Sequence, residues 1–133
     1  YSPFVPKFNY GLFEKNEVKN PSLGILIESK KGINNAEILL KNPNVDFIYF
    51  GAYDLSVEIS KPGKIFCIEI LDYLNYLVNI AKQRNKKIMS LYRNKKELET
   101  LIKMKIDFPI ASVDTSQLMQ KLKKESLTFE DLI

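Results

Sequence analysis

Two carboxylates fall where a parallel-sheet protein does its chemistry. Glu28 closes the apolar run Leu23-Gly24-Ile25-Leu26-Ile27, and Asp54 follows Phe47-Ile48-Tyr49-Phe50 after a turn at Gly51. Unbroken runs of this kind read as strands buried on both faces, the pattern of a parallel sheet covered by helices on either side. The C-terminal ends of such strands are where α/β proteins bind ligands and place reactive groups. Neighbouring parallel strands lie ~4.8 Å apart, so carboxylates at two adjacent strand ends reach one small cation. Their oxygen donors suit magnesium or manganese, with water or substrate completing the shell. A plainer role is open to each: Glu28 can pair with a lysine such as Lys30, and Asp54 can cap the helix that follows.

Other chemistries are excluded by what the 133 residues contain. There is no histidine, so neither a Ser-His or Cys-His nucleophile nor a histidine-ligated zinc can be built from this chain alone. Cys67, the single cysteine, sits in the apolar run Ile65-Phe66-Cys67-Ile68 and reads as a buried structural thiol. One cysteine permits no intrachain disulfide, which fits a reducing, cytoplasmic home. The net charge of +4 comes from lysines spread along the chain, and the only arginines are Arg84 and Arg93. That is not the clustered arginine and aromatic surface of a nucleic-acid partner. No apolar stretch approaches the ~20 residues of a membrane span. Arg93 and Asp114 are further strand-end residues. Arg93 reads first as a solvent-exposed or helix-capping side chain, with binding of an acid group as its alternative, and Asp114 as a helix cap.

The elements that must position these groups form a regular series. After an irregular, aromatic lead-in (1–20), strands are expected at 23–27, 45–50, 88–92 and 108–113. Helices are expected at 32–40, where Ile33, Ala36, Ile38 and Leu40 give an apolar face, and at about 66–84, where apolar residues recur every three or four positions. A helix over 94–104 takes Asn94 as its N-cap, and a last one starts within 116–124, followed by a short tail (126–133). Residues 57–64, with Pro62-Gly63, read as a loop. Four β/α units of 25 to 30 residues therefore fill roughly 21–125, joined by right-handed crossovers. They suit a small open sheet or half of an eight-unit barrel.

The sequence Ile25-Leu26-Ile27-Glu28-Ser29, then Gly32-Ile33-Asn34-Asn35, then residues 45–56 ending Gly51-Ala52-Tyr53-Asp54-Leu55-Ser56, resembles the HpcH/HpaI aldolase/citrate lyase family. The likeness extends to Lys61-Pro62-Gly63 and Ala111-Ser112-Val113-Asp114-Thr115. It implies a (β/α)8 TIM barrel of which this chain is the C-terminal half, beginning at the fifth strand. It also implies a divalent-metal-dependent lyase that makes or breaks carbon–carbon bonds through a metal-bound enolate of a pyruvate-like 2-oxo acid or an acyl thioester. By resemblance, Glu28 and Asp54 hold Mg2+ or Mn2+, and the backbone N–H groups of Gly51, Ala52, Tyr53 and Asp54 receive the substrate carboxylate. The family's substrate-binding arginine and acid–base histidine belong to the absent half, so the isolated chain is expected to be inactive or very weak. Ala52 stands where many relatives have proline, and Ser60 where they often have glycine. The open core implies completion by the missing half, a second copy or another chain. The rival reading is a non-catalytic α/β binding or assembly module that completes its core with a partner.

Overall fold

The computed structural model describes residues 22–111 and 113–130. The expected lead-in (1–20), Pro21, Ser112 of the last motif and the final residues 131–133 lie outside the described residues. Four strands, β1 (Gly24–Ile27), β2 (Phe47–Phe50), β3 (Lys87–Tyr92) and β4 (Phe108–Ala111), form one parallel sheet in the order β1-β2-β3-β4. The intervening helices are α1 (Lys30–Asn34), α2 (Ala36–Leu39), α3 (Ala52–Glu58), α4 (Ile68–Gln83), α5 (Lys95–Lys103) and, after β4, α6 (Asp114–Glu130).

Consecutive strand order has a direct consequence. Each right-handed crossover between neighbours that advance in the same direction lands on the same side of the sheet. Ile27, Ile48, Phe50, Ile88 and Ser90 point to that side and are buried with Leu55, Ile70, Leu74, Leu77 and Leu101 from the helices. The opposite side is different. Leu26, Tyr49, Met89 and Phe108 stand in register across all four strands. Tyr49 and Met89 are only half-buried, while Leu26 and Phe108 are 52% and 49% exposed. The expectation that these strands are buried on both faces is therefore corrected: among the described residues, helices cover one face only.

The helices follow local rules with two departures. The Asn94 side chain caps α5 by accepting the Glu97 N–H (3.0 Å), as the sequence led us to expect, and the Ser29 hydroxyl caps α1 by accepting the Gly32 N–H (3.1 Å), which was not foreseen. The single helix expected over 32–40 is instead two short ones broken at Asn35, whose side-chain amide donates to the Lys31 carbonyl (2.8 Å). Ile33, Ala36 and Leu40 stay inside, while Ile38, about 200° around the helix from Ala36, faces out, 67% exposed. The segment expected as a loop from residue 57 begins inside α3, and α6 runs on through most of the expected tail.

Helices α3, α4 and α5 share one ending. In each, the residue after the C-cap is left-handed (Ser60 φ 60°, Asn85 φ 53°, Lys105 φ 61°), and the next N–H bonds back to a carbonyl in the last turn. The pairs are Lys61 to Ser56 (2.7 Å), Lys86 to Ala81 (2.8 Å) and Ile106 to Leu101 (3.1 Å), which is the Schellman arrangement. None of the three is glycine, so each carries a steric cost that the hydrogen bonds offset.

Candidate metal and substrate site

The two rims of the sheet treat their carboxylates in opposite ways. At the N-terminal rim, Asp46 accepts the Leu23 N–H (2.8 Å), and Asp107 accepts the Ile88 N–H (3.1 Å) and the Lys87 ammonium (2.9 Å). These carboxylates lock strand entries together, a stabilising use. At the C-terminal rim, Glu28 and Asp54 line one shallow pocket of about 130 Å³ with Leu26, Tyr49, Tyr53 and Leu91. Among the described residues neither carboxylate has a hydrogen-bond or ion-pair partner.

Both plain roles are accordingly removed. Glu28 forms no ion pair with Lys30. Asp54 is not an N-cap: Gly51 holds that position, and Asp54 lies in the first turn of α3, where the helix dipole favours a negative charge. The Gly51-Ala52-Tyr53-Asp54 segment is thus a strand exit running straight into a helix rather than a loop. Gly51 continues the β1–β2 ladder, donating to the Ile27 carbonyl (2.9 Å). It therefore sits beside Glu28 on the uncovered face of the sheet. A Cβ at Gly51 would fall 2.4 Å from Glu28 Cβ and 3.2 Å from its Cα, so only glycine lets Glu28 occupy its place. Of the four residues, Ala52 is buried, Gly51 half-buried, and Tyr53 and Asp54 exposed.

Two carboxylates that line one open pocket and have no partner among the described residues fit a hard divalent cation, whose remaining positions water or substrate would fill. Among the described residues no third acidic, histidine or cysteine side chain joins them.

Behind the pocket lies a group of residues that sequence reasoning did not assemble. Ser56 is fully buried; its hydroxyl donates to the Tyr53 carbonyl (2.6 Å) and accepts the Gly63 N–H (3.0 Å). Arg93 is exposed, as expected, and is not among the residues that line the pocket, but its side chain is tied down. Its Nε and Nη2 bracket the Glu97 carboxylate, and its Nη1 donates to the Gly63 carbonyl (3.2 Å). The Arg93 N–H also donates to Glu97 (2.8 Å). Burial alone raises the Glu97 carboxyl pKa, but the Arg93 hydrogen bonds and charge outweigh it and hold the group below the usual carboxylate value. The i,i+4 spacing of Arg93 and Glu97 was a legible signal for the pair; the tie to Gly63, thirty residues away, had none.

The remaining sequence candidates fall away from the pocket. Cys67 is partly buried, packs against the core and precedes α4. Asp114 opens α6, its carboxylate accepting the Thr115 N–H (2.7 Å). Among the described residues, no helix is long and apolar enough to cross a membrane.

Comparison with known proteins agrees with this architecture. The family model for HpcH/HpaI aldolase/citrate lyase matches residues 9–120. A hydroxypyruvate/pyruvate aldolase of Chromohalobacter salexigens is 26% identical over 96 residues, which are 72% of this chain and 38% of that protein. An HpcH/HpaI aldolase from Desulfitobacterium hafniense superposes with a TM-score of 0.76 at 17% identity, over 84% of this chain and 44% of the other. The citrate synthase SbnG superposes with a TM-score of 0.75 at 16% identity, over 83% and 45%. The chain spans less than half the length of these relatives, and the superpositions show a shared α/β fold with a parallel sheet. With the family pattern matched across most of its length, the chain belongs to the HpcH/HpaI aldolase/citrate lyase family.

Proposed function

We propose that this chain supplies the metal-holding half of a carbon–carbon lyase acting on a 2-oxo acid such as pyruvate, with an acyl thioester as the alternative substrate. The observation that carries the reading is the pair of carboxylates, Glu28 and Asp54, that share one pocket at the C-terminal rim and have no partner among the described residues. Mg2+ or Mn2+ held there supplies Lewis-acid polarisation of the substrate's keto and carboxylate oxygens. Gly51 admits Glu28 to the pocket, and the start of α3 brings Asp54 to its lining. The N–H groups of Gly51, Ala52, Tyr53 and Asp54 are the proposed donors to the substrate carboxylate, although Gly51's own N–H is already given to Ile27, which leaves the other three. Leu26, Tyr49 and Leu91 line the pocket beside the carboxylates.

The four units are proposed to be the C-terminal half of a (β/α)8 barrel. Consecutive parallel order and one-sided helical cover support this, since closing such a sheet on itself places the uncovered face inside. The same uncovered row, Leu26-Tyr49-Met89-Phe108, favours a second reading in which the chain is foremost an assembly module completed by another half. Calorimetric titration of Mn2+ into the 133-residue chain, with and without oxalate, tests the first reading. Binding that oxalate tightens, and that Glu28→Gln and Asp54→Asn each abolish, is the expected result. Well-folded protein that takes up no Mn2+ overturns it and leaves the assembly reading. No aldol cleavage of a 2-oxo acid is expected from the chain alone, and measurable turnover would contradict the assignment of acid–base chemistry to the absent half.

A further inference from the structure

We propose that Arg93 and Glu97 are positioning residues for the first turn of α3, acting through the Gly63 carbonyl and the Ser56 hydroxyl on the peptide that joins Tyr53 to Asp54. The proposal rests on the reading of Asp54 as a cation ligand and identifies what holds that ligand still.

The path is continuous. Glu97, at the start of α5 and only 7% exposed, fixes the guanidinium of Arg93. The remaining arm of that guanidinium holds the Gly63 carbonyl, the Gly63 N–H holds the Ser56 oxygen, and the Ser56 hydroxyl holds the Tyr53 carbonyl. The guanidinium donates at both of its ends, to Glu97 and to the Gly63 carbonyl, and the Ser56 hydroxyl accepts from Gly63 and donates to Tyr53, so the segments are tied in series. The path ends one residue before Asp54. Nothing on it touches either pocket carboxylate, so its influence is on position alone.

Helix α3 needs such support. Seven residues make about two turns, too short to hold a helix by its own hydrogen bonds. Its buried contacts are Ala52, Leu55 and Ser56, and Asp54 itself is exposed. The requirement for arginine is geometric. One planar fork brackets a carboxylate and still reaches a carbonyl on another segment, which the point charge of lysine cannot do. The guanidinium also lies within electrostatic reach of the Tyr53 phenol, a second residue of the pocket.

The test uses the full chain as wild type, Arg93→Lys, Ser56→Ala and, as a control at the opposite rim, Asp107→Asn. Amide hydrogen exchange across residues 52–58 is read beside Mn2+ affinity, under conditions where urea titration shows each protein folded. Arg93→Lys and Ser56→Ala should each speed α3 exchange and weaken Mn2+ binding about fivefold, the effect of one lost hydrogen bond of ordinary strength. Asp107→Asn should change neither, although it also lowers stability. Wild-type exchange rates over 52–58 in Arg93→Lys overturn the proposal, as does equal acceleration by Asp107→Asn. Absence of Mn2+ binding by the wild type refutes the cation reading alone, because the exchange rates still decide whether the clasp holds α3.

Discussion

Replacing Gly51 with alanine should damage both the sheet and the pocket, for a reason that is steric and not conformational. Gly51 has φ −83° and ψ 71°, on the side of the map that alanine adopts, so the backbone itself raises no objection. The obstacle is the added methyl group, 2.4 Å from Glu28 Cβ and 3.2 Å from Glu28 Cα. Ordinary carbon contacts need about 3.5–4.0 Å, so the ends of β1 and β2 must part by more than about 1 Å. The neighbour is backbone and the root of a side chain, so no rotamer change relieves it. Overpacking of this kind costs about 1–3 kcal/mol, partly offset by the ~0.5 kcal/mol that alanine gains over glycine in the unfolded chain. A net loss of about 1–2 kcal/mol in urea unfolding is the expectation.

Glu28 moves with the strand end, and a ligand displaced on that scale should weaken Mn2+ binding about tenfold or more. Gly24→Ala is the informative comparison. Its methyl group would meet the Phe47 ring at 2.2 Å, but that ring lies on the uncovered face and can swing aside. It should therefore cost less and leave Mn2+ affinity as it was. If Gly51→Ala lowers stability no more than Gly24→Ala and binds Mn2+ like the wild type, the contact with Glu28 does not set the pocket and the argument fails.

Two further outcomes follow from the same contacts. Glu97 has a carboxyl pKa lowered in the folded protein relative to its unfolded value of about 4.3, so the unfolded chain binds more protons in acid. The stabilisation it contributes is whole above that unfolded value and is lost as pH falls through the folded one. Urea midpoints measured from pH 6 down to pH 3 should therefore fall less steeply for Glu97→Gln than for the wild type, and identical slopes would remove Glu97 from the account. Lys105, left-handed at the end of α5, should be improved by glycine: Lys105→Gly is expected to raise stability by about 1 kcal/mol in the same assay, whereas Asn85→Gly, starting from a residue that tolerates this conformation, should change it by less than about half as much.

What the sequence disclosed depended on how local the cause was. The four strands, α4 and the Asn94 cap follow from runs, periodicity and one side chain bonding three residues ahead, and they stand where pattern places them. The apolar runs misled on one point. An interior face awaiting cover and a face already covered carry the same residues, so Leu26 and Tyr49 read as buried although no described element packs over them. Helix α3 was missed because Pro62-Gly63 draws attention to a turn, while the inward spacing of Ala52, Leu55, Ser56 and Ile59 spans barely two turns. Ile38 was counted on the apolar face although it stands about 200° around a helix from Ala36, which even an unbroken helix turns outward.

The candidate site divides in the same way. Glu28 and Asp54 were legible because strand ends are. What keeps them there was not: the Gly51–Glu28 approach crosses two strands, and the path from Glu97 to Tyr53 crosses three segments of chain. The contrast between the rims gives this physical content. Asp46 and Asp107 spend their oxygens on backbone N–H groups and a lysine, which fastens the strand entries. Glu28 and Asp54 spend theirs on nothing within the described residues, which leaves the oxygens of both available in the pocket they share. They stand at the rim where the strands run out, which is where the proposed cation would sit.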